Sequence, residues 1–302
     1  MKSILVSGLS GFVGQNLKIY LESQGKPQLS SLSLRSNWDR NIKPDIVAIV
    51  HLAGKAHDLK NVSLPDEYYS INFDLTKEIY DSFLKSNAKK FIFISSVKAS
   101  ADLVEGKLTE SDVPNPQTHY GKSKLMAEEF ILSQPLPEGK SFFILRPSMI
   151  HGPGNRGNLN LLYKLISKGI PYPLAAFENK RSFLSVENLC FVIRELLERD
   201  DIPSGIYNVV DDEAFSTNDL IKLIANASCR KPKLWRINPV LIKSLAKLGD
   251  ILKLPLTTER LQKLTENYIV DNSKIKHSLG KEFPIHARDG IIKTIGSFQN
   301  PK

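Results

Sequence analysis

Apolar positions change their spacing along this chain, and the changes mark out its elements. Ser3-Ile4-Leu5-Val6 is a short apolar run that reaches Gly8. Val13, Leu17 and Leu21 then recur on one helical face until Gly25 stops it. From Asp45 to Leu52 nearly every position is apolar, which predicts a strand covered on both faces. Leu75, Ile79 and Phe83 return to helical spacing, and Lys90 to Ile94 reads as the next strand. A helix through Tyr120 and Lys124 is expected to bury Leu125, Met126 and Phe130, with another strand from Phe142 to Leu145. Repeated strand–helix units of this kind predict an α/β fold, a doubly wound parallel sheet with helices on both faces.

The second half is less regular. Leu189, Val192, Ile193, Leu196 and Leu197 mark a helix, and Gly205 to Val210 a strand. Ser216-Thr-Asn-Asp219 has the form of a capping box ahead of Leu220, Leu223 and Ile224. Pro239 is expected to open a helix with Leu241, Leu245, Leu248 and Leu252 inward and Lys243, Lys247 and Lys253 outward. Packing within a substrate-side lobe is the expectation for that helix; a membrane surface is the alternative. The organisation expected is a dinucleotide-binding domain over 1–150 and a mainly substrate-binding lobe over 151–302. Residues 182–210 are expected to return to the first domain.

Composition narrows the classes. The chain has 302 residues, 41 % of them hydrophobic, and no apolar run approaches the ~20 residues of a membrane span. Its short apolar start runs straight into glycines, unlike a signal peptide, so a cytoplasmic location is expected. Of two cysteines, Cys190 sits in an apolar helical pattern and reads as a buried structural thiol. The net charge of +9 comes from scattered lysines and no nucleic-acid motif accompanies it, which favours an anionic small ligand over nucleic acid. Six histidines show no metal-ligand spacing, so no metal is expected.

Chemistry concentrates at three places. Gly8-Leu-Ser-Gly11-Phe-Val-Gly14 follows a strand and opens a helix, where glycines permit close backbone approach and helix N–H groups receive a pyrophosphate. The second is Arg35, 21 residues after Gly14, where an acidic residue would instead accept from the ribose of NAD. An arginine there grips a 2′-phosphate, so NADP is expected over NAD; a solvent-facing loop arginine is the alternative. Only nine residues, Ser36 to Pro44, separate that region from the next clear strand, so the adenine side of the sheet looks trimmed. The third is Tyr120-Gly-Lys-Ser-Lys124, whose tyrosine and lysine share a helix face. The ammonium is expected to favour the phenolate, and a serine hydroxyl from the upstream Ser95-Ser96 placed on the same substrate oxygen would complete a proton-transfer site.

These segments resemble the extended short-chain dehydrogenase/reductases of the NAD-dependent epimerase/dehydratase group, which act on nucleotide sugars. The resemblance runs nearly end to end. It includes the glycine loop, His51-Leu-Ala-Gly54, Asn72, Ser95-Ser96, Tyr120/Lys124, Leu145-Arg146-Pro147, Gly152-Pro153-Gly154 and the segment from Arg181 to Glu187. It implies catalytic roles for Ser96, Tyr120, Lys124 and Asn72. Cofactor contacts are implied for Gly8, Ser10, Gly11, Phe12, Val13 and Gly14, and for Leu52, Ala53, Gly54, Lys55 and Pro147. Lys98, Asn158 and Arg181 are implied on the substrate side, Arg181 at the nucleotide diphosphate.

Sugar 4,6-dehydratases of this group carry an Asp-Glu pair after the active-site hydroxyl, where this chain has Val97-Lys98, so elimination is disfavoured. Ser95-Ser-Val-Lys98, the segment from Arg146 to Gly152 and Gly157-Asn158 resemble bacterial reductases of UDP-4-keto-6-deoxy-N-acetylhexosamines. Reduction of such a UDP-sugar is the leading expectation. A 4-epimerase holding NAD is the enzymatic rival, and a non-catalytic nucleotide-binding scaffold the rival of another class. A homodimer stays open as an assembly.

Overall fold

The structure, a computed structural model, describes residues 3–25, 28–34, 38, 42–55, 64–155, 157–254 and 256–299. Its first strands are β1 (Ser3–Ser7), β2 (Leu29–Leu32), β3 (Ile46–His51), β4 (Lys90–Ile94), β5 (Lys107–Leu108) and β6 (Ser141–Pro147). β7 (Met149–His151), β8 (Arg181–Ser185), β9 (Gly205–Val209), β10 (Ala214–Phe215) and β11 (Ile269–Val270) follow. The helices of the first half are α1 (Phe12–Ser23), α2 (Pro65–Tyr69), α3 (Leu75–Lys85) and α4 (His119–Ser133). Then come α5 (Asn158–Ser167), α6 (Val186–Glu198), α7 (Thr217–Ala227), α8 (Pro239–Leu252), α9 (Thr258–Thr265), α10 (Ser273–Leu279) and α11 (Ala287–Gln299).

Six strands build the central sheet in the order β2-β1-β3-β4-β6-β9, and every pairing in it is parallel. Alternation on β4 shows how it is covered. Ile92 and Ile94 join the core beneath α1 and α6, while Phe91 and Phe93 join Ile79, Phe83, Ala127 and Ile131 of α3 and α4 on the other face. The expected doubly wound Rossmann-type sheet is therefore present. Among the described residues no strand lies outside β2, in keeping with a sheet trimmed on that side. A separate core of α5, α7 and α11 carries the smaller C-terminal lobe. Cys190 is buried in α6, where desolvation pushes its thiol up to about 12 and out of nucleophilic use.

Two burial expectations are corrected. Met126 is exposed, and α4 buries Ala127, Glu128 and Ile131 instead, because the helix turns its chemistry-bearing face inward. On α8, Leu241, Leu245, Leu248 and Leu252 are between 46 % and 57 % exposed, and the buried side is Ile242, Ala246 and Gly249. Small residues let the backbone approach closely there: a Cβ on Gly249 would sit 1.9 Å from the Leu256 carbonyl oxygen. Leu174 and Leu261 complete that small core.

Candidate active site

β1 runs into Gly8, whose φ of +74° suits a residue without a Cβ. A Cβ on Gly14 would lie 2.5 Å from the Gly8 carbonyl oxygen, so the loop closes only with glycine there. Ser10 and Gly11 finish the turn, and Phe12 and Val13 open α1. No side chain caps that helix and no acidic residue stands in its first turn, which leaves its N–H groups to an anion. This cradle fits the diphosphate of a dinucleotide. Arg35, expected to select the adenosine end, lies outside the described residues.

A buried chain of hydrogen bonds joins the cradle to the active-site helix. Ala53 N–H donates to Ser7 Oγ (3.2 Å), and Ser7 Oγ lies 2.6 Å from His51 Nδ1. His51 Nε2 is 2.9 Å from Thr76 Oγ1, whose proton goes to the Asn72 carbonyl at 2.7 Å. Because Thr76 donates onward, His51 must donate to it through Nε2–H, and its Nδ1 accepts from Ser7. Every hydroxyl in the chain gives one proton and takes one. Asn72, in the π-helical turn Ser70–Asp74, accepts from Lys55 N–H at 2.8 Å and donates to the Lys55 carbonyl and Ser123 Oγ, both at 3.1 Å. The loop Leu52-Ala53-Gly54-Lys55 is thereby pinned to α4.

Burial, followed by the Lys124 charge, lowers the His51 pKa to about 3. In the unfolded chain it returns to near 6.5, so the unfolded state binds its proton first as pH falls. The contribution is intact above that value and is lost progressively from about 6.5 towards 3. Thermal melts of the parent and His51→Asn across this range should show a shallower acid slope for the variant. Equal slopes would assign the acid sensitivity to other groups.

α4 begins at the Thr118 cap and delivers Tyr120 and Lys124 to the carboxyl ends of β4 and β6. Lys124 is buried, its ammonium donating to the Ile94 carbonyl at 2.9 Å and lying 4.7 Å from the centre of the Phe93 ring. Desolvation lowers its pKa to about 8, against the pull of Glu128. Burial raises the Tyr120 phenol, with a hydrogen bond to Ser96 opposing the shift. The expected phenolate-promoting effect of Lys124 is thus corrected: its stem carries the charge down to the β4 carbonyl, and burial dominates the phenol. At neutral pH Tyr120 carries its proton, ready to donate it. Ser96 begins the short 3₁₀ turn Val97–Ala99 and accepts from Lys98 N–H at 3.2 Å, which fixes its hydroxyl beside the phenol.

One cavity of about 220 Å³ gathers Leu52, Gly54, Lys55, Ser96, Tyr120, Lys124 and Pro147. A larger cavity of about 400 Å³, within residues 100–117, is lined by none of the expected site residues and so holds no chemistry of this kind. Lys98, Asn158 and Arg181 do not line the smaller cavity. Asn158 is exposed at the first position of α5. Lys98 donates to the Asp102 carbonyl at 2.9 Å and lies 4.2 Å from the centre of the Tyr268 ring. Arg181 opens β8 and donates to the Lys263 carbonyl and to Glu266. Burial lowers both cations, and each feels the field of Glu266, so they form one electrostatic neighbourhood.

Sequence reasoning named Ser95 and Arg146 only within the resembling segments and assigned no role to them or to Glu128. Ser95 donates to Glu128, and Arg146 grips the same carboxylate through Nε at 3.0 and 3.1 Å to its two oxygens. Arg146 and Glu128 are almost wholly excluded from solvent. Their signal was available: Glu128 stands four residues after Lys124, on the same helix face. Tyr68, packed edge-on to Tyr120 at 6.3 Å, was also missed.

A parallel sheet, a glycine cradle for a diphosphate and a Ser–Tyr–Lys cavity at the strand ends define an enzyme of the extended short-chain dehydrogenase/reductase type. The chain belongs to the NAD-dependent epimerase/dehydratase family, whose model matches residues 4–209. It is 29 % identical over 330 aligned residues to a UDP-glucose 4-epimerase of Vibrio cholerae, covering 98 % of this chain and 95 % of that one. To a GDP-6-deoxy-D-mannose reductase of Pseudomonas aeruginosa it is 26 % identical, covering 74 % of this chain and 79 % of the relative. The fold superimposes on MoeE5 in complex with UDP-glucuronic acid and NAD with a TM-score of 0.76. There the identity is 19 %, over 99 % of this chain and all of MoeE5.

Proposed function

We propose that this enzyme reduces C4 of a UDP-4-keto-6-deoxy-N-acetylhexosamine in the cytoplasm, preferring NADP(H) to NAD(H). The observation that carries the reading is the convergence of Ser96, Tyr120 and Lys124 on one cavity beside the Gly54–Lys55 loop. The bound dinucleotide supplies the hydride. Tyr120, kept protonated by burial, gives its proton to the sugar oxygen as negative charge develops there, with Ser96 holding that oxygen. Lys124 steadies the ribose side, and Asn72 keeps the Gly54–Lys55 loop in place. Lys98, Asn158 and Arg181 are proposed for the UDP side, where Arg181 has to exchange part of its pairing with Glu266 for phosphate.

Water elimination finds no support. At the positions where dehydratases carry their carboxylates, Val97 is buried in an apolar cluster and Lys98 points to the Asp102 carbonyl. A second reading, 4-epimerisation on retained NAD, is favoured by the similarity to the Vibrio cholerae epimerase. Incubating purified enzyme with UDP-4-keto-6-deoxy-N-acetylglucosamine and NADPH, then NADH, separates the two. The expected result is stoichiometric loss of reduced cofactor, fastest with NADPH, and one C4 configuration by NMR. Interconversion of UDP-hexoses by protein that retains NAD, without net consumption of reduced cofactor, would overturn the reductase reading.

A further inference from the structure

The outward side of α8 is unusual for a protein surface. Val240, Leu241, Leu245, Leu248, Ile251 and Leu252 are each between 46 % and 77 % exposed along a helix of 14 residues. Helical spacing sorts the positions of the helix into four sectors. Ile242, Ala246 and Gly249 face the small core. The four leucines form a ridge on one flank, Val240 and Ile251 stand outermost, and Lys243 and Lys247 border the other flank. A contiguous exposed apolar band of this kind marks a contact surface rather than ordinary solvent exposure.

Charge says what the contact is. Between Arg230 and Lys263 the sequence carries nine basic side chains and two acidic ones, Asp250 and Glu259. That excess of seven sits in a chain whose net charge is +9. Trp235, 56 % exposed, lies four residues before the helix. A second copy of the same face is a poor occupant, since a two-fold contact would set two strongly positive segments against each other. No described helix is long and apolar enough to cross a membrane, so a lipid contact here has to be peripheral.

We propose that α8 lies in the headgroup region of an anionic lipid surface, its apolar band inserted and the basic side chains around it paired with lipid phosphates. The active-site cavity lies on other elements, so the enzyme is held at the membrane while its substrate site stays in water. This inference stands apart from the assigned reaction, because α8 contributes nothing to the cavity.

The test is flotation of the full chain with vesicles of phosphatidylcholine alone and of phosphatidylcholine with about one third phosphatidylglycerol. Binding is expected to the anionic vesicles and to fall as salt is raised. Leu245→Gln/Leu248→Gln/Ile251→Gln should weaken it by at least about tenfold, and Lys243→Glu/Lys247→Glu comparably. Both variants should keep the parent's melting temperature and turnover, since these side chains already face solvent. Three results would overturn the proposal: no retention on anionic vesicles, equal retention of parent and variants, or a lipid-free dimer that the leucine variant converts to monomer. The last would identify a second copy as the true occupant.

Discussion

Tyr120→Phe is expected to lower kcat by roughly 10²–10⁴-fold while dinucleotide affinity changes by no more than about twofold. The substitution removes one oxygen from a ring whose packing against Tyr68 survives. In the proposed reaction the variant loses the proton that the sugar oxygen needs as charge develops on it, so the defect should fall on the chemical step rather than on KM. Ser96 cannot replace that proton donor, because an aliphatic hydroxyl is a far weaker acid than a phenol, although it can still hydrogen-bond the oxygen. Single-turnover rates with the keto sugar, compared with cofactor binding by fluorescence, check this. A variant within about tenfold of the parent would remove Tyr120 from the mechanism.

Glu128→Gln should cost about 3–5 kcal/mol of folding stability, read from urea denaturation. Glu128 is the counter-charge for Arg146, and neither has access to water. Removing the charge leaves a guanidinium buried without its counter-ion, and the single amide oxygen of glutamine cannot serve both Ser95 and Arg146 as the carboxylate does. The double variant Glu128→Leu/Arg146→Met should recover most of the loss, because no charge then remains buried. A loss below about 1 kcal/mol in the single variant would mean that water reaches the pair. Lys124 gives a second readout: the Glu128 charge raises its pKa, so a properly folded variant should titrate Lys124 at lower pH than the parent.

The sheet was legible because parallel strands are covered on both faces and so leave unbroken apolar runs, as from Asp45 to Leu52 and from Lys90 to Ile94. The cavity residues were legible through the glycine loop and the Tyr120/Lys124 spacing, both of which follow from local geometry. The α8 face was misread because periodicity finds apolar sectors without saying which is buried. There the decision belongs to Ala246 and Gly249, whose small size admits the chain at Leu256. The Glu128–Arg146 pair was hidden for a different reason: two charges 18 residues apart become a unit only when β6 is laid beside β4. Even the direction of the Tyr120 pKa depends on depth beneath the surface, which no spacing encodes.

The order of the sheet bears on how the chain is made. β6 receives its outer neighbour β9 only after residue 205, with Phe143 opposite Gly205. Lys90, in the middle of the sheet, places its ammonium on the carbonyls of Leu196, Leu197 and Arg199 at the end of α6. A nascent chain that has emerged only through β6 therefore holds an open strand edge and an ammonium without its acceptors. The ribosome must deliver residue 205 and the strand it opens before the six-stranded sheet can close. Over that interval the β6 edge is the surface that a chaperone has to shield.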